Sequence, residues 1–467
     1  MADSPPRLWR RGLLWLAGLA PLFYLSYGAA NFLALQRAAT PGAVPSISFA
    51  WEQQLPFWAW SIVPYWTINA FYGLSLLLVR SRHELDRHGA RLLTAQALAV
   101  ACFLIWPLRF GFSQPVVEGG LPGFLFAGLR SFDAPFNQAP SLHIALAVIL
   151  WDLYRRLITP RWARALMHLW ALAICASVLT TYQHHFIDIP SGALLGLLCV
   201  WAWPLERRVS MAQAWRLTLD AQRRKLAALY ALGALAAALI ALGLGGAGLW
   251  LLWATAALAL VALIYAGFGA RGFQTDGSGQ MAWAARWLLA PYRLSAWINA
   301  RWWTRKLAPA CEVLPGLWLG HLPGHSGRSE AVQAAAHNTE QRARCRHTKI
   351  VSLCAELQAP YASLACCVPM LDLALPAPAA LRRAAQAIEM QRQRGGDVRV
   401  CCALGFSRSA AAMACWLLRS GHVTTLDEAL ALLRRARPQI VLSLAWLQVI
   451  EQAARPVIEQ AARPVAR

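Results

Sequence analysis

Apolar runs of membrane-spanning length, broken by arginine-bearing loops, fill the first 270 residues and limit the fold more than any other feature. A helix needs about 20 mostly apolar residues to cross hydrocarbon. Eight such spans are predicted near 13–35, 56–79, 92–110, 141–158, 163–182, 189–205, 226–244 and 247–268. The first follows Arg7, Arg10 and Arg11 and is longer than the apolar core of a cleaved leader, so it reads as a retained anchor.

The arginines orient the spans. Arg80, Arg82, Arg87 and Arg91 follow the second, and Arg155, Arg156, Arg161 and Arg164 the fourth. Arg207, Arg208, Arg223, Arg224 and Lys225 follow the sixth, whereas the loops 37–55, 111–140 and 183–188 carry few. An even number of spans with both termini cytoplasmic satisfies this pattern. The net charge of +22 is then topological, a basic face toward anionic lipid, and not a nucleic-acid footprint. The expected setting is the inner (cell) membrane of a bacterium, with the phospholipid bilayer as partner. The oligomeric state is left open.

Composition changes after residue 268. Residues 269–280 are Gly-rich and read as a mobile connector. Trp283, Trp287, Trp297, Trp302 and Trp303 then alternate with Arg286, Arg293, Arg301, Arg305 and Lys306. That mixture suits a segment lying on the inner membrane surface or a plain packed helix. Beyond it, KIVSLCAEL and VRVCCALG are strand-like, while 379–394 and 426–437 have helical periodicity. The fold class is therefore a multi-span α-helical membrane bundle followed by an α/β domain. Its divisions are 1–55 (anchor and outer loop), 56–205 (membrane domain), 206–268 (basic loop and hairpin), 269–310 (Trp/Arg-rich linker), 311–448 (α/β domain) and 449–467 (a tail repeating VIEQAARP). Eight of the eleven cysteines lie beyond residue 310, none at zinc-site spacing, which suits a reducing compartment and implies no metal or other cofactor.

The segment VRVCCALGFSRSAAAMACWLL (398–418) sets an apolar strand, a short loop and an Ala-rich helix in series. A loop at a helix N-terminus turns backbone N–H groups inward as an anion cradle and favours a thiolate at Cys402. Gly405 lets the backbone curl without a Cβ, and Arg408 offers a planar fork to two phosphate oxygens. Ser409 is placed to donate to the sulfur. In VPMLDLALP (368–376), Asp372 is the candidate acid for the first transfer and base for the second. Residues 312–445 resemble a dual-specificity phosphatase of the protein tyrosine phosphatase superfamily, in EVLPGLWLGHLP, VPMLDL, CCALGFSRSA and RRARPQIVLS. The resemblance implies Cys402 as nucleophile, Arg408 as phosphate binder, Asp372 as acid/base and Ser409 as thiolate partner. One departure is Cys401, which stands where that family has His; the vicinal thiols are either a redox pair or two packed side chains.

A second cluster falls on the outer face. NQAPSLH (137–143) opens the fourth span and YQHHFIDIPSG (182–192) joins the fifth and sixth, gathering Asn137, Ser141, His143, His184, His185 and Asp188. A His–Asp couple can form a phosphate nucleophile and a second His can protonate the leaving oxygen. Residues 56–205 resemble the membrane type-2 phosphatidic acid phosphatase superfamily, closest to its inositol-phosphorylceramide and sphingomyelin synthase branch. That resemblance implies His184 as nucleophile, Asp188 as its orienting partner and His143 as acid/base, with Ser141 in the substrate site. It departs from the family at PSLH (for PSGH) and at Val178 (for Arg), and Arg109 is the nearest replacement for the missing basic motif.

The expected function is a membrane phosphatase acting on phosphorylated lipid or protein, with hydrolysis or head-group transfer open at the second site. The alternative is a non-enzymatic phosphate-binding sensor carrying a degenerate phosphatase domain. A transporter lacks paired broken spans.

Overall fold

The computed structural model describes residues 5–207, 209–324, 349–359 and 365–455. Arg208, Cys345 and the second copy of the tail repeat lie outside the described residues. The chain forms two compact units, residues 1–214 with 242–249 and residues 215–241 with 250–467.

The first unit is helical: α1 (Pro5–Ala38), α2 (Ile62–Leu78), α3 (Arg82–Ile105), α4 (Gly120–Arg130), α5 (Leu142–Leu157), α6 (Arg161–Thr180), α7 (Asp188–Ala202) and the single turn α8 (Met211–Ala214). Helix α5 packs against α2, α6 and α7, and α3 against α1 and α7. Contact between α5 and α7 is close because Gly192 and Gly196 share one face of α7. A Cβ on Gly192 would stand 2.4 Å from the Ser141 carbonyl oxygen, and one on Gly196 2.7 Å from that of Ala145. This is the small-xxx-small solution to helix packing, in which backbones approach where side chains are missing.

Six helical segments of the described residues are long and apolar enough to cross a membrane: 8–38, 59–78, 82–105, 161–180, 221–244 and 246–273. The other two expected spans form shorter helices, α5 of 16 residues and α7 of 15. Both begin at the polar motifs themselves, at Leu142 after Ser141 and at Asp188. The expected outer loop 111–140 contains α4, and the loop after the second span is only a few residues long. Arg91 consequently lies inside α3, fully buried, with its guanidinium 2.8 Å from the Asp152 carboxylate of α5.

The second unit opens with α9 (Ala221–Leu244) and α10 (Leu251–Leu263), which continues as a π-helical turn at Ile264–Phe268 and a 3-10 turn at Gly269–Phe273. Next comes the Gly-rich stretch, and it is built into the domain. Thr275 Oγ1 donates to the Ala355 carbonyl (2.7 Å), and the Cys367 and Ala359 amides donate to Gly277 and Gly279 (2.7 and 3.2 Å). Composition alone suggested a free connector, but its glycines let this strap lie flat against neighbouring backbone. Helices α11 (Trp283–Leu288) and α12 (Ala290–Thr304) follow. Ala300 and Thr304 of α12 are buried, whereas Leu294, Trp297, Ile298, Trp302 and Trp303 are exposed. One side of the Trp/Arg segment is thus packed and the other shows indoles.

Among the described residues five strands complete the unit: β1 (Ala310–Leu314), β2 (Leu317–His321), β3 (Lys349–Cys354), β4 (Ala365–Met370) and β5 (Val398–Cys402), in the order β1-β2-β5-β3-β4. Of these neighbours β1 and β2 pair antiparallel and the rest parallel. The near-continuous apolar runs of β3 and β5 fit interior parallel strands, buried on both faces. Helices α13 (Pro378–Gln393), α14 (Arg408–Arg419), α15 (Leu426–Ala436) and α16 (Leu444–Ala454) follow in sequence. Ala410, Ala411, Ala412 and Ala414 are fully buried and let α14 sit close to the sheet. The first copy of the tail repeat ends α16. The central strand β5 runs out of the sheet directly into the loop 402–408, the position at which open α/β sheets place ligand sites.

Candidate active site

Loop 402–408 joins β5 to the N-terminus of α14. Cys402 begins it, with its sulfur 3.3 Å from Ser409 Oγ and accepting the Gly405 N–H at 3.2 Å. Gly405 has φ +77°, and a Cβ there would stand 2.5 Å from the Gly320 carbonyl carbon. Glycine is needed on both counts, conformation and space. The closing segment supports the loop from outside. Arg437 donates to the Leu404 carbonyl (3.3 Å) and lies over the Phe406 ring, and the Val441 amide donates to Phe406 (3.1 Å).

Arg408 is the first residue of α14 and is buried. Its guanidinium forms a fork-to-fork pair with Glu356, NH1 to Oε2 at 2.9 Å and NH2 to Oε1 at 2.7 Å. NH1 also donates to the Met370 carbonyl (3.0 Å), and NH2 lies 2.9 Å from Asp372 Oδ1. Burial works against the charge, but Asp372 and Glu356 outweigh it and hold Arg408 firmly protonated. The structure thus brings Cys402, Ser409, Gly405, Arg408 and Asp372 to one place, along with Glu356, which sequence reasoning missed. Glu356 follows β3 in CAEL and is nearly inaccessible; a carboxylate set directly after an apolar strand is the sequence signal that could have found it.

Other thiols here are spectators. Burial pushes Cys367 up to about 12 and Cys415 up to about 11, so both stay protonated at neutral pH. Cys401 and Cys402 are both thiols, and Cys401 is wholly buried.

The acid loop has a neighbour of its own. Tyr265 Oη donates to the Asp372 carbonyl at 2.9 Å. The Tyr265 ring lies 5.4 Å from that of Tyr230, which meets Tyr292 edge-on at 5.8 Å. Burial, then Tyr265, Glu356 and Tyr230, push the Tyr292 phenol well above its usual value. A pocket of about 270 Å³ lies between α12 and the loop, lined among others by Arg293, Trp297, Arg301, His321, Leu357 and Ala403.

In the first unit, His184 Nδ1 lies 3.0 Å from Asp188 Oδ2 and Nε2 3.2 Å from Ser141 Oγ. With Nδ1–H given to the carboxylate, Nε2 is the lone-pair nitrogen. Ser141 also caps α5, its Oγ accepting the Ile144 amide. His143, on the first turn of α5, stacks on Tyr65 (3.9 Å between ring centres), and its Nε2 lies 2.9 Å from the Tyr65 carbonyl. The side chain of Arg109 is exposed. His185 is committed elsewhere: Nδ1 lies 2.8 Å from Glu52 Oε2, and Nε2 accepts the Gly111 amide at 2.9 Å. Sequence reasoning missed Glu52. Burial opposes its charge, but the His185 hydrogen bond and the Phe49 and Phe186 amides outweigh that and hold the carboxyl below the usual range. Among the described residues, no cluster of three or more His, Cys, Asp or Glu side chains is arranged to hold a metal.

Residues 333–455 match the family model described as the dual specificity phosphatase catalytic domain. No curated protein matches the chain. Among solved structures, a mouse putative dual specificity phosphatase complexed with zinc tungstate is 27% identical, over 34% of this chain and 94% of that one, with a TM-score of 0.27. A human DUSP28 variant is 27% identical over 33% and 99%, with a TM-score of 0.26. PTPMT1 in complex with PI(5)P is 17% identical over 33% and 99%, with a TM-score of 0.27.

Proposed function

We propose that the chain is an integral membrane phosphatase whose C-terminal domain hydrolyses phosphomonoesters through a cysteinyl-phosphate intermediate. The observation that carries this reading is the convergence of Cys402, Ser409, Arg408 and Asp372 on the loop between β5 and α14, with the Cys402 sulfur accepting the Gly405 N–H and lying 3.3 Å from Ser409 Oγ. A phosphate dianion competes with Asp372 for the Arg408 fork, which Glu356 holds in plane. Released from Arg408, Asp372 takes a proton from solvent and turns to the leaving oxygen. The Cys402 sulfur then bonds to phosphorus, the ester P–O bond breaks, and the leaving oxygen takes the Asp372 proton. In the second transfer Asp372 removes a proton from water, the water oxygen bonds to phosphorus, and the S–P bond breaks to give inorganic phosphate. Ser409 donates to the departing thiolate. The substrate is phosphoprotein or phospholipid.

The full chain is assayed with an aryl phosphate, beside Cys402→Ser and Asp372→Ala. Turnover in the wild type and its loss in Cys402→Ser is the expected result. A folded, reduced protein without turnover would instead identify a phosphate-binding sensor, the reading favoured by Cys401 in place of His.

A second activity is proposed for the first unit, on the observation that Asp188, His184 and Ser141 form one hydrogen-bonded series. There His184 Nε2 attacks the phosphorus of a lipid phosphate ester, Asp188 steadies the imidazolium, and His143 protonates the leaving oxygen. Water or a lipid hydroxyl completes the exchange, and Arg109 is the cation offered to the phosphate. Phosphate release from lipid that survives Cys402→Ser and is lost in His184→Ala is the expected signature.

A further inference from the structure

The acid loop is tied to the end of an apolar hairpin. Tyr265 lies in the π-helical turn that continues α10, within the membrane-length run 246–273, and its hydroxyl donates to the Asp372 carbonyl at 2.9 Å. Tyrosines gather where a membrane helix leaves hydrocarbon, because the ring stays dry while the hydroxyl reaches polar groups. Tyr230 and Tyr292 ring against one another and Tyr265 at the same end. Asp372 in turn reaches Arg408 at 2.9 Å. The phosphate-binding fork is therefore linked, through Asp372 and Tyr265, to the end of a membrane-length helical run. A phosphoryl group carried by a lipid of that membrane has the shortest path to such a site.

The surroundings have matching chemistry. Leu373, at the tip of the acid loop, is 65% exposed, and α12 shows Leu294, Trp297 and Ile298 to the outside. Arginines interleave with those apolar groups along α12, as on helices that lie on anionic membrane surfaces. The loop residues Ala403, Leu404, Phe406 and Ser407 supply no cation, so within the loop Arg408 alone meets one phosphoryl group, and Arg293 and Arg301 lie outside it in the adjoining pocket.

We infer that the substrate of the cysteine site is a singly phosphorylated membrane lipid, presented to Cys402 between the acid loop and helix α12. This rests on Cys402 being the nucleophile of a phosphatase, and the experiment separates the two. The full chain is reconstituted in phosphatidylcholine vesicles. Phosphate release is measured from dioleoyl phosphatidate in the same vesicles, from a phosphotyrosyl peptide and from an aryl phosphate. The rate of Cys402→Ser is subtracted from each, which removes any contribution of the histidine site. The lipid is expected to exceed the peptide by about tenfold at matched phosphate concentration, since tethering raises effective concentration. In Trp297→Ala the ratio of lipid to aryl-phosphate turnover should fall by about tenfold, a loss typical of one buried aromatic anchor. In Tyr265→Phe that ratio should also fall, because an alkyl leaving group needs a well-placed acid and an aryl one needs it less. Aryl turnover with the peptide equal to or better than the lipid, or ratios unmoved by both variants, overturns the lipid assignment alone. Absence of turnover on all three overturns the nucleophile as well.

Discussion

Arg408 keeps two carboxylate partners, and they do different work. Glu356 grips both terminal nitrogens and fixes the plane of the fork; Asp372 takes one nitrogen only and is free to leave. Replacing Glu356 by Gln should keep the volume and lose the grip. A fork misplaced by about 1 Å costs on the order of a hundredfold in rate, so kcat/KM for an aryl phosphate should fall by about that factor. Steady-state kinetics with melting as a folding control checks it. Glu52 gives the other residue-scale prediction, this one in pH. Its folded carboxyl is held below the usual range, so it adds stability above the unfolded-state value, and that share is lost as pH falls through the folded one. Thermal unfolding in detergent should show an acid limb that Glu52→Gln flattens. Motif residues were legible because Cys402, Gly405, Arg408 and Ser409 share one unbroken string, and Asp372 stands between leucines ahead of a proline. Glu356 was not, since 52 positions separate it from Arg408 and only the sheet brings them together. Spacing paired His184 with Asp188, but nothing in the sequence joined His185 to Glu52, 133 positions away.

At the scale of elements, helix length and helix contact decide what the first unit can hold. Helices α5 and α7 are too short to repeat the pattern of their neighbours, and both start at the histidine motifs. Their approach depends on Gly192 and Gly196, so Gly192→Leu should drive the Ser141 backbone away from α7 and part Ser141 from His184. Overpacking of this kind costs about 1–3 kcal/mol or more. The expected outcome is a lower melting temperature, with the lipid activity that survives Cys402→Ser lost and aryl phosphate turnover kept. Hydropathy marked where helices run but not where they stop, because Ser141 and Asp188 end the loops through capping and hydrogen bonds that no apolar count contains. The strap was hidden for a related reason. A Gly-rich string has the same composition whether free or docked, and its partners Ala355, Ala359 and Cys367 lie some 80–90 positions away.

For the whole molecule, the core of the α/β domain draws on residues upstream of 311, where that domain was expected to begin. Helix α12 buries Ala300 in the same core as Leu319, Val351 and Val400. A fragment beginning at residue 308 lacks that helix and the strap, and should melt well below one beginning at 269. Differential scanning fluorimetry of the two fragments checks this, and equal melting would mean that the upstream segments merely accompany the domain.

The strap also has a consequence for how copies of the molecule meet. Strand β4 closes one end of the sheet, and an open strand edge is a template on which another chain can add its own. Molecules confined to a bilayer meet at high local density and in a common orientation, conditions that favour such joining. Gly277, by accepting the Cys367 amide, occupies part of that edge with backbone from the same chain. The stretch that looks least structured in the sequence thus leaves less of that edge open to a strand from another copy.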